Sequence, residues 1–283
     1  MTCNTQFEGV FCPSITITNA DGTIDYDNWG KHLEHLIDAG IDGVLLFGSI
    51  GEFYAIDVKT KAEAVRFAVS KVAGRMKVLV GVGDTNLDNV RTLAAESEAA
   101  GADALVAVSS YYFGPSPDCA KRYFSAVAKA TTLPVILYNF PARTGNDLTP
   151  ELVADLAAEN QNIVGIKDTV DTISHTRKVI AAVRKVNPSF SVLSGFDEYY
   201  TVNRISGGNG VLCGLTNVEP ETFVSLHRAW QSGDYTTAIK SAERISYLMR
   251  CTTLPTCSSA PSRARSRRRD CQSTRPSMSP PCS

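Results

Sequence analysis

The sequence predicts a (β/α)8 TIM barrel, and three observations carry that prediction. Short, β-branched, nearly continuous apolar runs alternate with helical patterns through residues 9–232, as expected for parallel strands covered on both faces. The runs number eight, and eight β-then-α units on this scale match barrels of typically about 250 residues. A doubly wound sheet would carry a phosphate-binding glycine fingerprint after its first strand, and "GVFCPSITIT" at residues 9–18 has none. "GVGDTN", after the third strand, lacks the third glycine and reads as a tight βα turn.

The first strand is read at Val10–Thr16. In "DYDNWGKHLEHLIDAGIDG" the apolar face is Trp29, Leu33, Leu36 and Ile37, with Gly40 at the helix end. Strands follow at Gly43–Phe47 and Val78–Gly83, then a helix with Val90, Leu93, Ala94 and Ser97 inward and Gly101 at its end. Strands at Ala104–Val108 and Val135–Asn139 lead to a helix opened by Thr149 as cap, Pro150 at the first helical position and Glu151 in the first turn. The sixth strand is Ile163–Lys167, and Ile173, Thr176, Ile180 and Val183 form the stripe of the helix after it. Strands at Ser191–Ser194 and Gly210–Gly214 complete the set, and two more helical patterns run to Arg250. This divides the chain into barrel (1–219), the start of a C-terminal helical region (220–250) and a tail (251–283).

The tail differs abruptly from what precedes it. Ser, Thr, Pro, Arg and Cys supply 27 of its 33 residues, with no apolar period, a composition that cannot offset ordering entropy and predicts disorder. Its character also fits a chain that has left its natural reading frame near Arg250, with unrelated residues replacing the C-terminal helices. Six arginines against one acid give the tail +5 within a total of −1. The remainder is therefore acidic, which argues against a nucleic-acid binder. Only four of the eight cysteines precede residue 251, and their spacing fits neither disulfides nor a zinc knuckle. No stretch reads as a signal peptide or a membrane span. The expectation is a soluble cytoplasmic protein.

Barrel chemistry sits where strands end. The second strand ends in Gly48-Ser49-Ile50-Gly51-Glu52, the fourth near Tyr111 and Tyr112, the fifth in Tyr138-Asn139 with Arg143 and Thr144 beyond, and the sixth in Lys167. A lysine attacks a ketone as a neutral amine, which a desolvating pocket or a nearby cation provides. Making and breaking the resulting imine needs a proton carrier such as the Tyr138 phenol, with Ser49 to pass the proton on. Glycines around Ser49 let backbone N–H groups approach a carboxylate.

These residues resemble the dihydrodipicolinate synthase / N-acetylneuraminate lyase family of class I, pyruvate-dependent aldolases. The likeness rests on Gly48-Ser49-Ile50-Gly51-Glu52, Tyr138-Asn139-Phe140-Pro141-Ala142-Arg143-Thr144-Gly145 and Gly165-Ile166-Lys167-Asp168, in that order, and runs from about Gly9 to Met249. It implies Lys167 as the imine-forming lysine, Tyr138 as the proton shuttle, Ser49 as the relay hydroxyl and Tyr112 as a tyrosine lent to a neighbouring subunit. It implies further that the Ser49-Ile50 backbone holds the pyruvate carboxylate, that Arg143 holds the second substrate's carboxylate, and that Gly195 and Leu212 line the pocket. The implied partners are a 2-keto acid, an aldehyde and further copies of the chain, as dimer or tetramer, with neither metal nor organic cofactor.

Two departures bear on substrate. Ile50 replaces a threonine common in synthases, and "SGFDEYY" resembles the sugar-acid lyases, whereas Arg143 points back to the synthases. Condensation of pyruvate with aspartate semialdehyde is the first reading. A 2-keto-3-deoxy sugar acid aldolase, or a 2-keto acid dehydratase or deaminase, is the alternative, and a keto-acid-binding barrel without turnover is the non-enzyme reading. Plainer roles compete residue by residue. Arg143 can pair with Glu52 or Asp168, Glu52 can cap the following helix, His32 and His35 fit a solvated face better than a metal site, and Cys213 reads as a small buried hydrophobe.

Overall fold

The computed structural model describes residues 7–252. In chain order the elements are β1 (Gly9–Pro13), α1 (Tyr26–Ala39), β2 (Gly43–Leu46), α2 (Val58–Val72), β3 (Lys77–Gly81), α3 (Leu87–Ala100), β4 (Ala104–Val108), α4 (Pro117–Lys129) and β5 (Val135–Asn139). They continue with a short α5 (Pro141–Thr144), α6 (Pro150–Glu159), β6 (Ile163–Asp168), α7 (Ile173–Val183), β7 (Ser191–Ser194), α8 (Tyr200–Ile205), β8 (Gly210–Leu212), α9 (Pro220–Ser232) and α10 (Tyr235–Thr252). The strands form a closed barrel in sequence order, and β8 returns to β1 through parallel pairing of Gly9 with Gly210 and Phe11 with Leu212. This is the (β/α)8 barrel expected from the sequence.

Helix ends follow local chemistry. The Asp25, Asn86, Ser116 and Thr149 side chains accept backbone N–H groups at the starts of α1, α3, α4 and α6, while Gly40 and Gly101 close α1 and α3 in the left-handed region. The predicted inward face of α3, Val90, Leu93, Ala94 and Ser97, is fully buried. Of the stripe predicted for α7, Thr176, Ile180 and Val183 are buried, Ile173 is only half-buried and Val179 joins the buried face.

Several boundaries differ from expectation. β1 stops at Pro13, three residues short of Thr16, because the chain then turns to use its side chains. The Ser14 hydroxyl accepts the Trp29 indole N–H at 2.9 Å, and the Thr16 hydroxyl donates to the Gly51 carbonyl at 2.8 Å. β2, β3 and β8 also end one or two residues early, whereas β6 runs one residue further, to Asp168. His32 does not face solvent. It is buried, with Nε2 3.0 Å from Asn217 Oδ1, because the turn after β8 and α9 covers that side of α1. Glu52 is not a cap either: it makes no capping bond, and Asp57 accepts the Thr60 N–H at the start of α2. Apart from Cys251 and Thr252, which close α10, the 251–283 tail lies outside the described residues.

The barrel seam makes one stability prediction. Gly210 has φ +131°, and a Cβ there would stand 2.0 Å from the Gly9 carbonyl oxygen. A side chain would be strained in that backbone conformation and would collide with main chain that cannot yield. Gly210→Ala is therefore expected to cost roughly 3 kcal/mol or more, read as a fall in the midpoint of chemical or thermal unfolding. An unchanged midpoint would show that the seam is not closed this way.

Candidate active site

Strand register brings the central pair together. Tyr138 on β5 pairs with Lys167 on β6, so both side chains leave the sheet on the same face. Both are 4% exposed, and the Lys167 ammonium position lies over the Tyr138 ring, 4.3 Å from its centroid. Among the described residues Lys167 Nζ makes no ion pair and no hydrogen bond. The Tyr138 hydroxyl in turn lies 3.3 Å from Ser49 Oγ. Ser49 and Tyr138 share the wall of a small cavity, about 10 Å³, with Leu45, Gly48, Phe53 and Val108.

The turn that carries Ser49 is bracketed by two non-glycine residues in the left-handed region, Phe47 at φ 55° and Glu52 at φ 52°. Such conformations persist only where surroundings impose them and gather at functional sites. Here the Ser49 and Gly48 carbonyls accept the Glu52 and Phe53 N–H groups, while the Ser49 and Ile50 N–H groups donate to no described residue. Two free amides in succession are a place for a carboxylate.

Other expected residues fall at different depths. Leu193 pairs with both Lys167 and Gly210, so Leu212, two residues beyond Gly210, shares the inner face and forms the β8 wall. Gly195 packs against Thr169, whose Oγ would stand 1.9 Å from any Cβ at Gly195. Ile50 is 41% exposed and lies over Gly214. Arg143 stands exposed on α5 with its guanidinium 6.0 Å from the Phe140 ring, and it pairs with neither Glu52 nor Asp168. Tyr112, at φ 78° and 87% exposed, packs edge-on to the equally exposed Phe113. Within one chain it does not reach Ser49 and Tyr138. Tyr111 instead packs edge-on to Phe53.

Three features escaped the sequence reading. Thr169, two residues beyond Lys167, is 9% exposed and its hydroxyl has no partner. Asp197, after β7, accepts the Leu215 N–H at 2.6 Å. Burial raises its pKa, opposed by that bond, by a Cys213 hydrogen bond and by the charge of Lys167. Behind the strands, Asp168 is tied to Asn139, Thr176 and His175. Burial pushes the Cys12 thiol up to about 12 and Cys213 well above its ordinary value, so both stay neutral, as expected of Cys213. Among the described residues no group of His, Cys, Asp or Glu could hold a metal ion, and no helix is long and apolar enough to cross a membrane.

A closed parallel barrel with a buried lysine, a tyrosine and a serine at its strand ends defines a barrel lyase of the class I aldolase type. The profile of the dihydrodipicolinate synthetase family matches residues 6–260, and the chain belongs to that family. It is 41% identical over 233 residues to the probable 2-dehydro-3-deoxy-D-pentonate aldolase YjhH of Escherichia coli K12, covering 82% of this chain and 77% of that protein. It is 36% identical over 222 residues to the 4-hydroxy-tetrahydrodipicolinate synthase of Kosmotoga olearia, covering 78% and 75%. Among solved structures it matches YagE, a prophage protein of the same family from E. coli K12 crystallised with pyruvate. That match has TM-score 0.86 and 39% identity over 89% of this chain and 84% of that one.

Proposed function

We propose that the chain cleaves 2-keto-3-deoxy sugar acids to pyruvate and an aldehyde, through an imine on Lys167 and without a metal or organic cofactor. The observation that carries this reading is the buried, unpartnered Thr169 hydroxyl two residues beyond Lys167, just past the end of β6. A buried hydroxyl left without a partner costs free energy, and a substrate rich in hydroxyls would supply one. The identity to YjhH, above that to the Kosmotoga synthase, supports the same choice. The order set out from the sequence is therefore reversed, with aspartate semialdehyde second. Arg143 at the rim favours that second reading.

In the proposed reaction the substrate carboxylate sits on the Ser49 and Ile50 N–H groups. The Lys167 amine attacks the C2 ketone, and the carbinolamine loses water to give the imine. Tyr138 takes the proton from the C4 hydroxyl, the C3–C4 bond breaks, and its electron pair passes to the imine nitrogen. The products are an aldehyde and an enamine. Protonation at C3 and hydrolysis then release pyruvate and the free amine. Ser49 exchanges the proton with Tyr138 across their 3.3 Å contact. Arg143 meets the outer end of the substrate, and Tyr112 completes the relay of a neighbouring copy in a dimer or tetramer.

A substrate comparison tests the choice. Pyruvate release from 2-keto-3-deoxygluconate and 2-keto-3-deoxypentonate should exceed condensation of pyruvate with aspartate semialdehyde by at least ~100-fold in kcat/KM, the discrimination expected when buried polar groups lose their partners. Preference for the semialdehyde would overturn the sugar-acid reading and leave the lysine chemistry standing.

A further inference from the structure

Immediately behind the lysine and tyrosine lies a polar cluster that the reaction above does not use. Asn139 follows Tyr138 on β5, Asp168 follows Lys167 on β6, and strand alternation turns both to the outer face of the barrel. Asn139 Nδ2 donates to Asp168 Oδ1 at 3.1 Å and to Asp147 Oδ1 at 2.9 Å, and its Oδ1 accepts the Leu148 N–H at 3.0 Å. His175, in the first turn of α7, closes the cluster. Its Nδ1 is hydrogen-bonded to Asp168 Oδ2 at 3.0 Å, while its Nε2 lies 3.3 Å from Asp147 Oδ1 as an ion-pair contact without hydrogen-bond alignment. The side chains of His175 and Asp168 are 12% and 0% exposed, and that of Asp147 is 44% exposed.

The ring thus stands between one carboxylate fixed to the lysine strand and another on the segment that follows α5, where Arg143 sits. That segment also backs onto the next mouth loop, since Gly145 packs on Gly114, two residues after Tyr112. We propose that His175, as an imidazolium bridging Asp168 and Asp147, is a positioning residue that clasps the Phe140–Leu148 segment to the end of β6 and thereby sets substrate affinity. The proposal rests on the reading of Lys167 and Arg143 given above.

The charged groups facing the ring are Asp168 from β6 and Asp147 from the segment before α6; Asn139 from β5 and Thr176 from α7 are neutral. Burial works to lower the His175 pKa, but the Asp168 hydrogen bond, the charges of Asp168 and Asp147 and the Leu148 backbone outweigh it, and the pKa is raised. A raised pKa means that the clasp is at full strength below the ordinary imidazole value of about 6.5 and is lost as pH rises through the raised one. Neutral, the ring no longer attracts Asp147, and the segment loosens.

The test compares the wild type with His175→Gln, Asp147→Asn and the double variant. Hydrogen exchange of residues 140–148, without substrate and corrected for intrinsic rates, is read at about pH 6 and about pH 9, alongside kcat and KM for 2-keto-3-deoxygluconate. In the wild type, segment protection should fall and KM rise about tenfold between the two pH values, with kcat little changed. Both single variants should show the loosened values at both pH values, and the double variant should be no worse than either. Wild-type protection that ignores pH, or single variants that match the wild type at pH 6, would overturn the clasp. Because exchange is read without substrate, it decides the clasp even if 2-keto-3-deoxygluconate is not turned over, an outcome that counts against the sugar-acid reading alone. Asp147→Asn removes a half-exposed group and keeps the test usable should His175→Gln fail to fold.

Discussion

Lys167→Ala lowers kcat/KM for pyruvate release by roughly 10⁵-fold, to the residual level that binding groups alone provide. The size follows from the role: among the described residues Lys167 is the lysine whose amine lies over the Tyr138 ring, so the variant loses the reaction path and not merely a contact. The fold should survive, because among the described residues Lys167 Nζ holds no ion pair or hydrogen bond whose loss would strand a buried partner. Steady-state pyruvate release with an unfolding midpoint measured beside it separates the two effects. Activity within tenfold of wild type would end the imine account.

Tyr138→Phe is the second large effect, a fall of about 10²–10⁴-fold in kcat, the range of a lost general acid–base. The substitution is clean here. The ring that lies under Lys167 and stacks on Phe140 at 5.9 Å is kept, so only the hydroxyl and its contact with Ser49 disappear. The imine should still form in this variant, more slowly, because the lysine remains. A rate near wild type would move the proton carrier to another group, and Tyr111, half-buried against Phe53, is the aromatic hydroxyl to examine next.

Much of this was legible in the sequence because barrel strands are buried on both faces and read as unbroken apolar runs. The strand-end chemistry was legible for a related reason. Two lysines are buried equally, Lys61 on α2 and Lys167 on β6, each 4% exposed. Burial lowers the Lys61 pKa, so desolvation alone does not mark the nucleophile. Position at the end of an apolar strand does, and that is visible in "VGIKDT".

What the sequence concealed depends on partners distant in the chain. His32 has a surface residue's spacing, yet Asn217, 185 residues away, buries it. Thr169 and Asp197 bear on the mouth through packing on Gly195 and a bond to Leu215, neither of which has a local pattern. His175 could have been suspected from a histidine in the first turn of the helix after "KD", but the second carboxylate, Asp147, comes from another loop. The plainer reading of Arg143, an ion pair with Glu52 or Asp168, fails because α5 holds its guanidinium near the Phe140 ring.

The central claim is that Lys167 forms an imine with the 2-keto acid, and covalent trapping tests it most directly. The protein is incubated with pyruvate, reduced with borohydride, digested and analysed by peptide mass spectrometry, beside Lys167→Ala and a sample without pyruvate. The account predicts one reduced pyruvyl group, on the peptide containing Val164–Thr169 and at Lys167, absent from both controls. An unmodified Lys167 peptide, or the adduct on Lys61 or another lysine instead, would contradict it.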